Sequence, residues 1–190
     1  MPGSFFHFLF IAMWLAFLVY WAIAARHAKP MRWREGGMVR ILDTALFFAA
    51  AILFAADHRL PAVFTVRFMA PSLVLEAAFA VATATGLGFA VWARRHLGQE
   101  WSPVVALKEE QTLIRGGPYR FVRHPIYSGM LLALLATGLA IGEWRAVLGF
   151  LAALIGILRR VKAEEAQLRA AFPDYDRYCA ETAALIPRLY

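Results

Sequence analysis

The sequence has few charged residues and almost no cysteine. Only 17% of its 190 residues are charged, whereas 61% are hydrophobic, and the mean hydropathy is +0.57. An ordinary soluble domain carries about 25% charged residues, so this chain has too few polar side chains to cover a soluble surface. The single cysteine, Cys179, excludes an internal disulfide framework and a cysteine-based metal cluster. Because lipid is the simplest solvent for the apolar excess, the composition predicts an integral membrane protein.

Acidic residues are also scarce, since 13 Asp and Glu face 20 Lys and Arg, for a formal net charge of +7. Such a surplus is typical either of a nucleic-acid-binding protein or of cytoplasmic membrane loops. Segments 26–40, 94–125 and 159–190 contain 5, 6 and 6 of the basic residues, whereas 57–72 and 143–145 contain 2 and 1. This asymmetry predicts that the first three segments are cytoplasmic. No zinc-ligand spacing or RNA-binding aromatic strand accompanies the charge, so we expect no nucleic-acid partner.

Five apolar runs separate these segments, and they predict an all-α membrane protein with about five transmembrane helices. The runs cover residues 5–25, 39–56, 73–93, 126–142 and 146–158. The first has no preceding basic residue and no small-residue cleavage site, so we interpret it as a retained helix rather than a signal peptide. The last is short for a crossing, which leaves two alternatives: extension through Arg159 and Arg160, or a re-entrant hairpin. In both cases the N-terminus is outside and the C-terminus is cytoplasmic.

Two regions follow from this pattern. Residues 1–93 supply three N-terminal helices, and residues 94–190 supply a cytoplasmic segment, a helical hairpin over 126–158 and a cytoplasmic tail. Two ionisable residues inside the apolar runs, Asp43 and Glu76, lie within about one turn of a run's end. We expect both side chains to extend to the lipid headgroups.

A polar motif, GGPYRFVRHPIYSG, occupies residues 116–129 immediately before the fourth apolar run. Its glycines and Pro118 predict a tight turn, and Pro125 is well placed in the first turn of the following helix. A helix N-terminus favours an anionic group, and Arg120, Arg123 and His124 would reinforce that preference. The alternative is a headgroup anchor, with the tyrosines at the membrane interface.

The tail contains a second set of charged residues. The stretch RRVKAEEAQLRAAF, residues 159–172, consists of strong helix formers and places Arg160 and Glu164 one turn apart on one face. The predicted topology brings this helix to the same side of the membrane as His124. The pair therefore has two interpretations: a surface ion pair of little energetic value, or part of a site shared with the motif.

Together these stretches resemble the isoprenylcysteine carboxyl methyltransferase family and its bacterial and phospholipid-methylating relatives. The resemblance covers residues 97–187 and rests on LGQEWSP, LIRGGPYRFVRHPIYSG and RVKAEEAQLRAAFPDYDRY. By position it implies that Arg160 orients the substrate and that Glu164 closes the cofactor site. The other residues implied to bind cofactor are Gln111, Thr112, Leu113, Ile114, Tyr119, His124, Pro125, Ile126 and Tyr127.

The resemblance also implies an activity. Members of this family transfer methyl from S-adenosylmethionine, with S-adenosylhomocysteine as product, and need no metal. The implied acceptor is a lipophilic molecule or lipid, with the carboxylate of an isoprenylcysteine-like substrate favoured. The expected location is a bacterial inner membrane. Open alternatives are a phospholipid amine or small thiol as acceptor, an NADPH-dependent reductase of the sterol-reductase type, and a non-catalytic protein that binds headgroups.

Overall fold

A computed structural model describes residues 2–26, 37–56, 60–101 and 112–187. For residues 2–4 and 37–40 it describes the backbone only. The predicted helical architecture is confirmed, since this part of the chain forms helices and no named strand. The helices are α1 (Pro2–Ala25), α2 (Gly37–Ala55), α3 (Ala62–Thr65), α4 (Leu73–Leu97), α5 (Pro125–Ile141), α6 (Trp144–Ala171) and α7 (Tyr175–Glu181). Short 3-10 turns cover Gly98–Glu100 and Gly117–Arg120.

Two of the described helices are long and apolar enough to cross a membrane. They are Phe5–Ala25 and Leu73–Glu100, whereas the apolar stretches Ile41–Ala55 and Pro125–Ile141 are shorter. The last apolar run continues without a break into the charged tail as α6, a helix of 28 residues and about 42 Å. Residues 146–158 therefore continue as one helix through Arg159 and Arg160, while the choice between two full crossings and a re-entrant hairpin over 126–158 stays a prediction.

The helices pack in the spatial order α1, α4, α5, α6 and α2. The closest approach joins α4 to α5 at Gly86 and Gly129. A Cβ atom on Gly86 would lie 2.5 Å from the Gly129 carbonyl oxygen, and one on Gly129 would lie 2.5 Å from that of Gly86. Small residues allow helix backbones to touch in this way. A buried hydrogen-bonded group, Thr83, Thr137 and Trp14, ties the same two helices to α1.

The α2–α6 pair is held by charges at both ends. Arg145 donates to the carbonyl oxygens of Leu53 and Phe54 at the end of α2, at 3.1 and 2.9 Å. Near the start of α2, Asp43 is 5% exposed and accepts a hydrogen bond from Arg159 at 3.2 Å. The expectation that Asp43 extends to the headgroups is therefore wrong, because an arginine on the neighbouring helix neutralises it.

The two ends of the bundle carry different loops. At one end, Arg67 pairs with Glu143 at 3.5 Å and Phe68 N–H donates to the Gly142 carbonyl oxygen at 2.9 Å. At the other end, the motif before α5 meets the charged half of α6 and the short helix α7. The second end contains the candidate site.

Candidate active site

A cavity of about 500 Å³ lies where α1, α2, α5 and α6 meet the motif. Its apolar wall comes from α1, α2 and α5, through side chains such as Phe17, Trp21, Phe47 and Met130. Its polar wall comes from the motif and from α6. The cavity therefore joins a charged region at the end of the bundle to an apolar region between the helices.

The motif reaches the cavity through a tight turn and a helix start. Gly117 has a φ of +59°, and a Cβ atom there would collide with the His96 ring, so this position requires glycine. The following 3-10 turn buries Tyr119, whose hydroxyl donates to the Ala93 carbonyl oxygen at 3.4 Å. His124 is the N-terminal flanking residue of α5 and Pro125 is its first residue, where proline's fixed φ suits a helix. This geometry directs His124 toward α6.

Glu164 is the centre of the polar wall. One carboxylate oxygen, Oε1, accepts from the Tyr127 hydroxyl at 2.5 Å and from Arg160 Nε at 3.4 Å. The other, Oε2, lies 3.5 Å from His124 Nδ1. The Arg160 and Glu164 side chains are 18% and 25% exposed and both line the cavity. Of the two sequence interpretations of this pair, the geometry matches the shared site rather than the surface ion pair.

Glu165, the next residue, fastens the motif to the chain beyond α6. Its Oε1 accepts from Arg123 Nε at 2.9 Å and lies 3.4 Å from His124 Nε2, although the latter contact lacks hydrogen-bond geometry. Arg123 also donates to the carbonyl oxygens of Cys179, at 3.1 Å, and Thr182. Carbonyl oxygens and a carboxylate therefore occupy the guanidinium of Arg123, which also lines the cavity, and its part in attracting an anion stays a prediction.

A C-terminal segment, residues 182–187, completes this end of the molecule. Arg123 N–H and His124 N–H donate to the carbonyl oxygens of Ala183 and Ala184 at 2.9 and 3.0 Å. The Ser128 hydroxyl donates to the Leu185 carbonyl oxygen at 2.6 Å. The segment therefore holds the motif backbone in place without lining the cavity.

Comparison with known proteins gives this arrangement a family. The model of the isoprenylcysteine carboxyl methyltransferase family matches residues 74–170, about half of the chain. The chain belongs to that family. Membership of this family and the two long apolar helices identify a membrane protein.

Two curated relatives resemble part of the chain. The cobalt-zinc-cadmium resistance protein CzcN of Cupriavidus metallidurans is 33% identical over 96 residues, which is 49% of this chain and 44% of CzcN. The protein-S-isoprenylcysteine O-methyltransferase of Schizosaccharomyces pombe is 31% identical over 128 residues, 62% of this chain and 54% of that protein. The chain thus spans about half the length of both relatives. The described residues contain no group of three potential metal ligands.

Most of the site residues implied by the resemblance to the methyltransferase family meet at the cavity. Those that line it are Thr112, Leu113, Ile114, Tyr119, His124, Ile126, Tyr127, Arg160 and Glu164. Pro125 is buried behind them in the first turn of α5. Gln111 lies outside the described residues. The structure brings these side chains together, while their roles toward cofactor and substrate stay predictions.

Several lining residues of this family member were missed by sequence reasoning. Trp21 on α1, Trp101 after α4, and Tyr175 and Tyr178 on α7 all contribute to the wall. Tyr178 has a structural function as well, since its hydroxyl donates to the Tyr119 carbonyl oxygen at 2.5 Å. Trp101, Tyr175 and Tyr178 lie within the stretches LGQEWSP and RVKAEEAQLRAAFPDYDRY, so the resemblance was the signal that could have found them. Trp21 lies on α1, outside those stretches, and no local spacing connects it to the motif.

The two glutamates determine the electrostatics of the site. Burial alone would lower the pKa of His124, but the adjacent carboxylates of Glu164 and Glu165 outweigh burial and raise it. Burial would raise the pKa of Glu164, yet His124, Arg160 and Tyr127 lower it. Against the same burial effect, His124 and Arg123 lower the pKa of Glu165 to about 2. The site therefore favours an imidazolium between two carboxylates.

Proposed function

We propose that this protein transfers a methyl group from S-adenosylmethionine to the carboxylate of a lipophilic, isoprenylcysteine-like acceptor. The observation that carries the proposal is the single cavity in which the charged wall of Arg160, Glu164 and His124 meets an apolar wall from α1, α2 and α5. Membership of the methyltransferase family and the similarity to the Schizosaccharomyces pombe O-methyltransferase support it.

The proposed topology has five transmembrane helices in a bacterial inner membrane, with the N-terminus outside and the C-terminus cytoplasmic. Residues 1–93 are the helical anchor, and residues 94–190 are the methyltransferase region. The contact between His124 and Glu164 supports a shared face for the motif and the tail. The contact between Arg67 and Glu143 supports a shared opposite face for the two loops that are poor in basic residues.

The residues of the polar wall fit the cofactor. S-adenosylmethionine has an ammonium and a carboxylate at one end and a nucleoside at the other, and small-molecule cavities typically measure about 300–1,000 Å³. A carboxylate offers about four acceptor positions, and three groups approach Glu164, so it can accept one further bond from the ammonium. His124 and the start of α5 suit the carboxylate. Tyr119 and Tyr127 offer aromatic surfaces for the nucleoside.

Arg160 binds and orients the carboxylate of the acceptor. A guanidinium binds a carboxylate through two parallel hydrogen bonds, which fixes the direction of the attacking oxygen. Bound S-adenosylmethionine supplies an electrophilic methyl carbon on a sulfonium. Transfer of that methyl group to the acceptor carboxylate would neutralise a positive and a negative charge together. Exclusion of water by the apolar wall and alignment by Arg160 are the contributions expected of the protein.

Charge favours a carboxylate over an amine as the acceptor. A carboxylate is ionised at neutral pH and needs no base, whereas an ammonium must first lose a proton. His124 is the only histidine that lines the described cavity, and the two glutamates raise its pKa. A protonated imidazole cannot remove that proton. The phospholipid-amine alternative therefore has a weaker basis than the carboxylate.

The cofactor part is tested by S-adenosylhomocysteine binding to His124→Ala and Glu164→Ala. Loss of one charged hydrogen-bond partner costs about 1.5–3 kcal/mol, or roughly ten- to a hundredfold in affinity. Arg120→Ala is the matched control, because Arg120 belongs to the same motif but is exposed. Wild-type affinity in both folded site variants would refute the assignment. Tighter binding of NADPH than of S-adenosylhomocysteine by the wild type would favour the reductase.

The acceptor part is tested with Arg160→Lys. This variant keeps the charge but loses the planar fork, so we expect a steep fall in methyl transfer with little change in cofactor affinity. Calorimetry and label transfer on one sample separate the two effects. Transfer near the wild-type rate would exclude the acceptor role, and a parallel collapse of cofactor binding would assign Arg160 to the cofactor instead.

A further inference from the structure

A buried arginine outside the cavity connects the helices that form its apolar wall. Arg94, in the last turn of α4, is 4% exposed, whereas its neighbour Arg95 is exposed. A buried guanidinium needs hydrogen-bond partners to offset its lost hydration. The hydrogen-bond partners of Arg94 show which elements it connects.

Arg94 joins three elements. Its Nη1 donates to the Gly98 carbonyl oxygen at 2.6 Å, and its Nη2 donates to the Ala24 carbonyl oxygen at 2.7 Å. Ala24 lies in the last turn of α1, where carbonyl groups have no partner within the helix. The planar face of the guanidinium lies 4.4 Å from the centre of the Trp101 ring, a cation–π distance. Arg94 therefore fixes the end of α1 and the Trp101 ring relative to α4.

Trp101 connects Arg94 to the wall of the cavity. Its ring is edge-on to that of Trp21, at 5.5 Å between centres and 87° between planes. Both tryptophans line the cavity, and Trp21 also packs at 5.0 Å from Phe17, a third lining residue. Arg94 itself does not line the cavity. The guanidinium thus supports an aromatic wall, Phe17, Trp21 and Trp101, from behind.

We propose that Arg94 is a positioning residue that fixes this aromatic wall, and that the wall selects acceptors by the length of their apolar chain. The inference rests on the proposed function for its substrate class. Arg94 does not line the polar wall, although Trp101 packs in one apolar cluster with Tyr119 and Ile126. Substitution of Arg94 is therefore expected to change chain selection more than cofactor affinity.

The first measurement is binding. The Kd values of N-acetylcysteine probes with S-linked geranyl, farnesyl and geranylgeranyl chains are compared in wild type, Arg94→Met, Arg94→Lys and the control Arg95→Met. We expect Arg94→Met to weaken the best-bound probe about tenfold and to reduce the differences among the three. Arg94→Lys keeps the charge and is expected to be intermediate. S-adenosylhomocysteine affinity is expected to change less than probe affinity in the two Arg94 variants and to be unchanged in Arg95→Met.

The second measurement reads the wall directly and is independent of activity. The edge-on tryptophan pair contributes a near-ultraviolet circular dichroism signal, which Trp101→Phe identifies by difference. We expect Arg94→Met to lose that signal and Arg95→Met to retain it. A retained signal in Arg94→Met overturns the positioning role. Unchanged chain preference in Arg94→Met and Arg94→Lys, or failure of wild type to bind any probe, overturns the selection role.

Label transfer to the same probes keeps the two proposals distinct. If wild type binds the probes but methylates none of them, the proposed function fails, while the binding and dichroism results still decide the role of Arg94. If wild type methylates a probe and the Arg94 variants have the same chain preference as wild type, the proposed function stands and this inference fails.

Discussion

Replacement of Arg123 by alanine removes the group that fastens the motif to the tail. Arg123 and Glu165 are 10% and 11% exposed, and Arg123 makes three hydrogen bonds, to Glu165 and to the carbonyl oxygens of Cys179 and Thr182. Breaking a buried ion pair by removing one partner costs about 3–5 kcal/mol. Because Glu165 keeps Arg169 at 3.2 Å and His124 at 3.4 Å, we expect the lower end, about 3 kcal/mol.

The effect is measured by thermal unfolding of purified protein in detergent at a fixed scan rate. For a chain of this size, about 3 kcal/mol corresponds to a fall in Tm of roughly 6–12 °C. Arg120→Ala is the control, because Arg120 is exposed and contacts only the Phe121 ring in the described structure. The double variant Arg123→Ala with Glu165→Gln should recover part of the loss, since it no longer buries an uncompensated charge.

The same variant changes the response to acid. The pKa of Glu165 lies at about 2 instead of 4.5, so the stability it contributes is present above pH 4.5 and is lost as the pH falls toward 2. Without Arg123 the pKa rises, and acid unfolding should begin at a higher pH. If Arg123→Ala unfolds at the temperature of Arg120→Ala and with the wild-type acid profile, the fastening role of Arg123 is refuted.

Three further predictions concern the site and the bundle. The raised pKa of His124 means that its contribution to stability is complete below pH 6.5 and is lost as the pH rises through the folded-state value. The Tm of the wild type should therefore fall over that range, whereas the Tm of His124→Gln should not. Parallel Tm profiles of the two proteins would contradict this. Gly86→Ala places a Cβ 2.5 Å from the Gly129 carbonyl oxygen and should lower the free energy of unfolding by about 1–3 kcal/mol. In the control Gly88→Ala the new Cβ meets nothing within 4 Å, so this variant should be neutral or stabilising in the same thermal melts. Equal effects of the two substitutions would exclude the close helix contact. Truncation after Glu181 removes the carbonyl groups that accept from the backbone N–H groups of Arg123 and His124 and from Ser128, and leaves the Arg123 side chain with only the Cys179 carbonyl group and Glu165. It should abolish S-adenosylhomocysteine binding by calorimetry, whereas Arg177→Ala, which breaks only an exposed pair with Glu181, should bind normally. Retained binding after truncation would show that the motif holds its shape alone.

Hydropathy was sufficient to predict the helices but not all their ends. The apolar run that stops at Leu158 belongs to a helix that continues to Ala171, because residues 159–171 are strong helix formers and nothing in them breaks the backbone. A change of polarity marks where a helix meets a different environment, which need not be where its hydrogen bonds stop. The same effect extends α4 beyond residue 93 to Leu97.

Contacts between neighbouring helices could be predicted only where the size of the side chains determined them. Small residues such as those of α4 are typical of a close helix contact, yet no sequence pattern identifies Gly129 as the partner of Gly86. Asp43 was misread because its neutralising partner, Arg159, lies 116 positions away. Hydropathy treats each span by itself and so cannot recognise an ion pair between two of them.

The polar wall was predictable because its side chains come from two compact stretches with charged residues at helical spacing. The support behind that wall was not. Ala183, Ala184 and Leu185 hold the motif through backbone carbonyl groups, and a carbonyl group is present at every position of any sequence. Side-chain patterns carry no information about which of them a distant N–H group will find.

The order of synthesis gives the C-terminal segment a further consequence. A chain is made from its N-terminus, and the partners of Arg123, His124 and Ser128 are contributed by residues 182–185. All seven described helices are therefore translated before these carbonyl groups leave the ribosome. Until then the backbone N–H groups at the start of α5 lack their native acceptors. A nascent chain can thus pack its helices before the motif has these acceptors, so this end of the bundle acquires its native hydrogen bonds last.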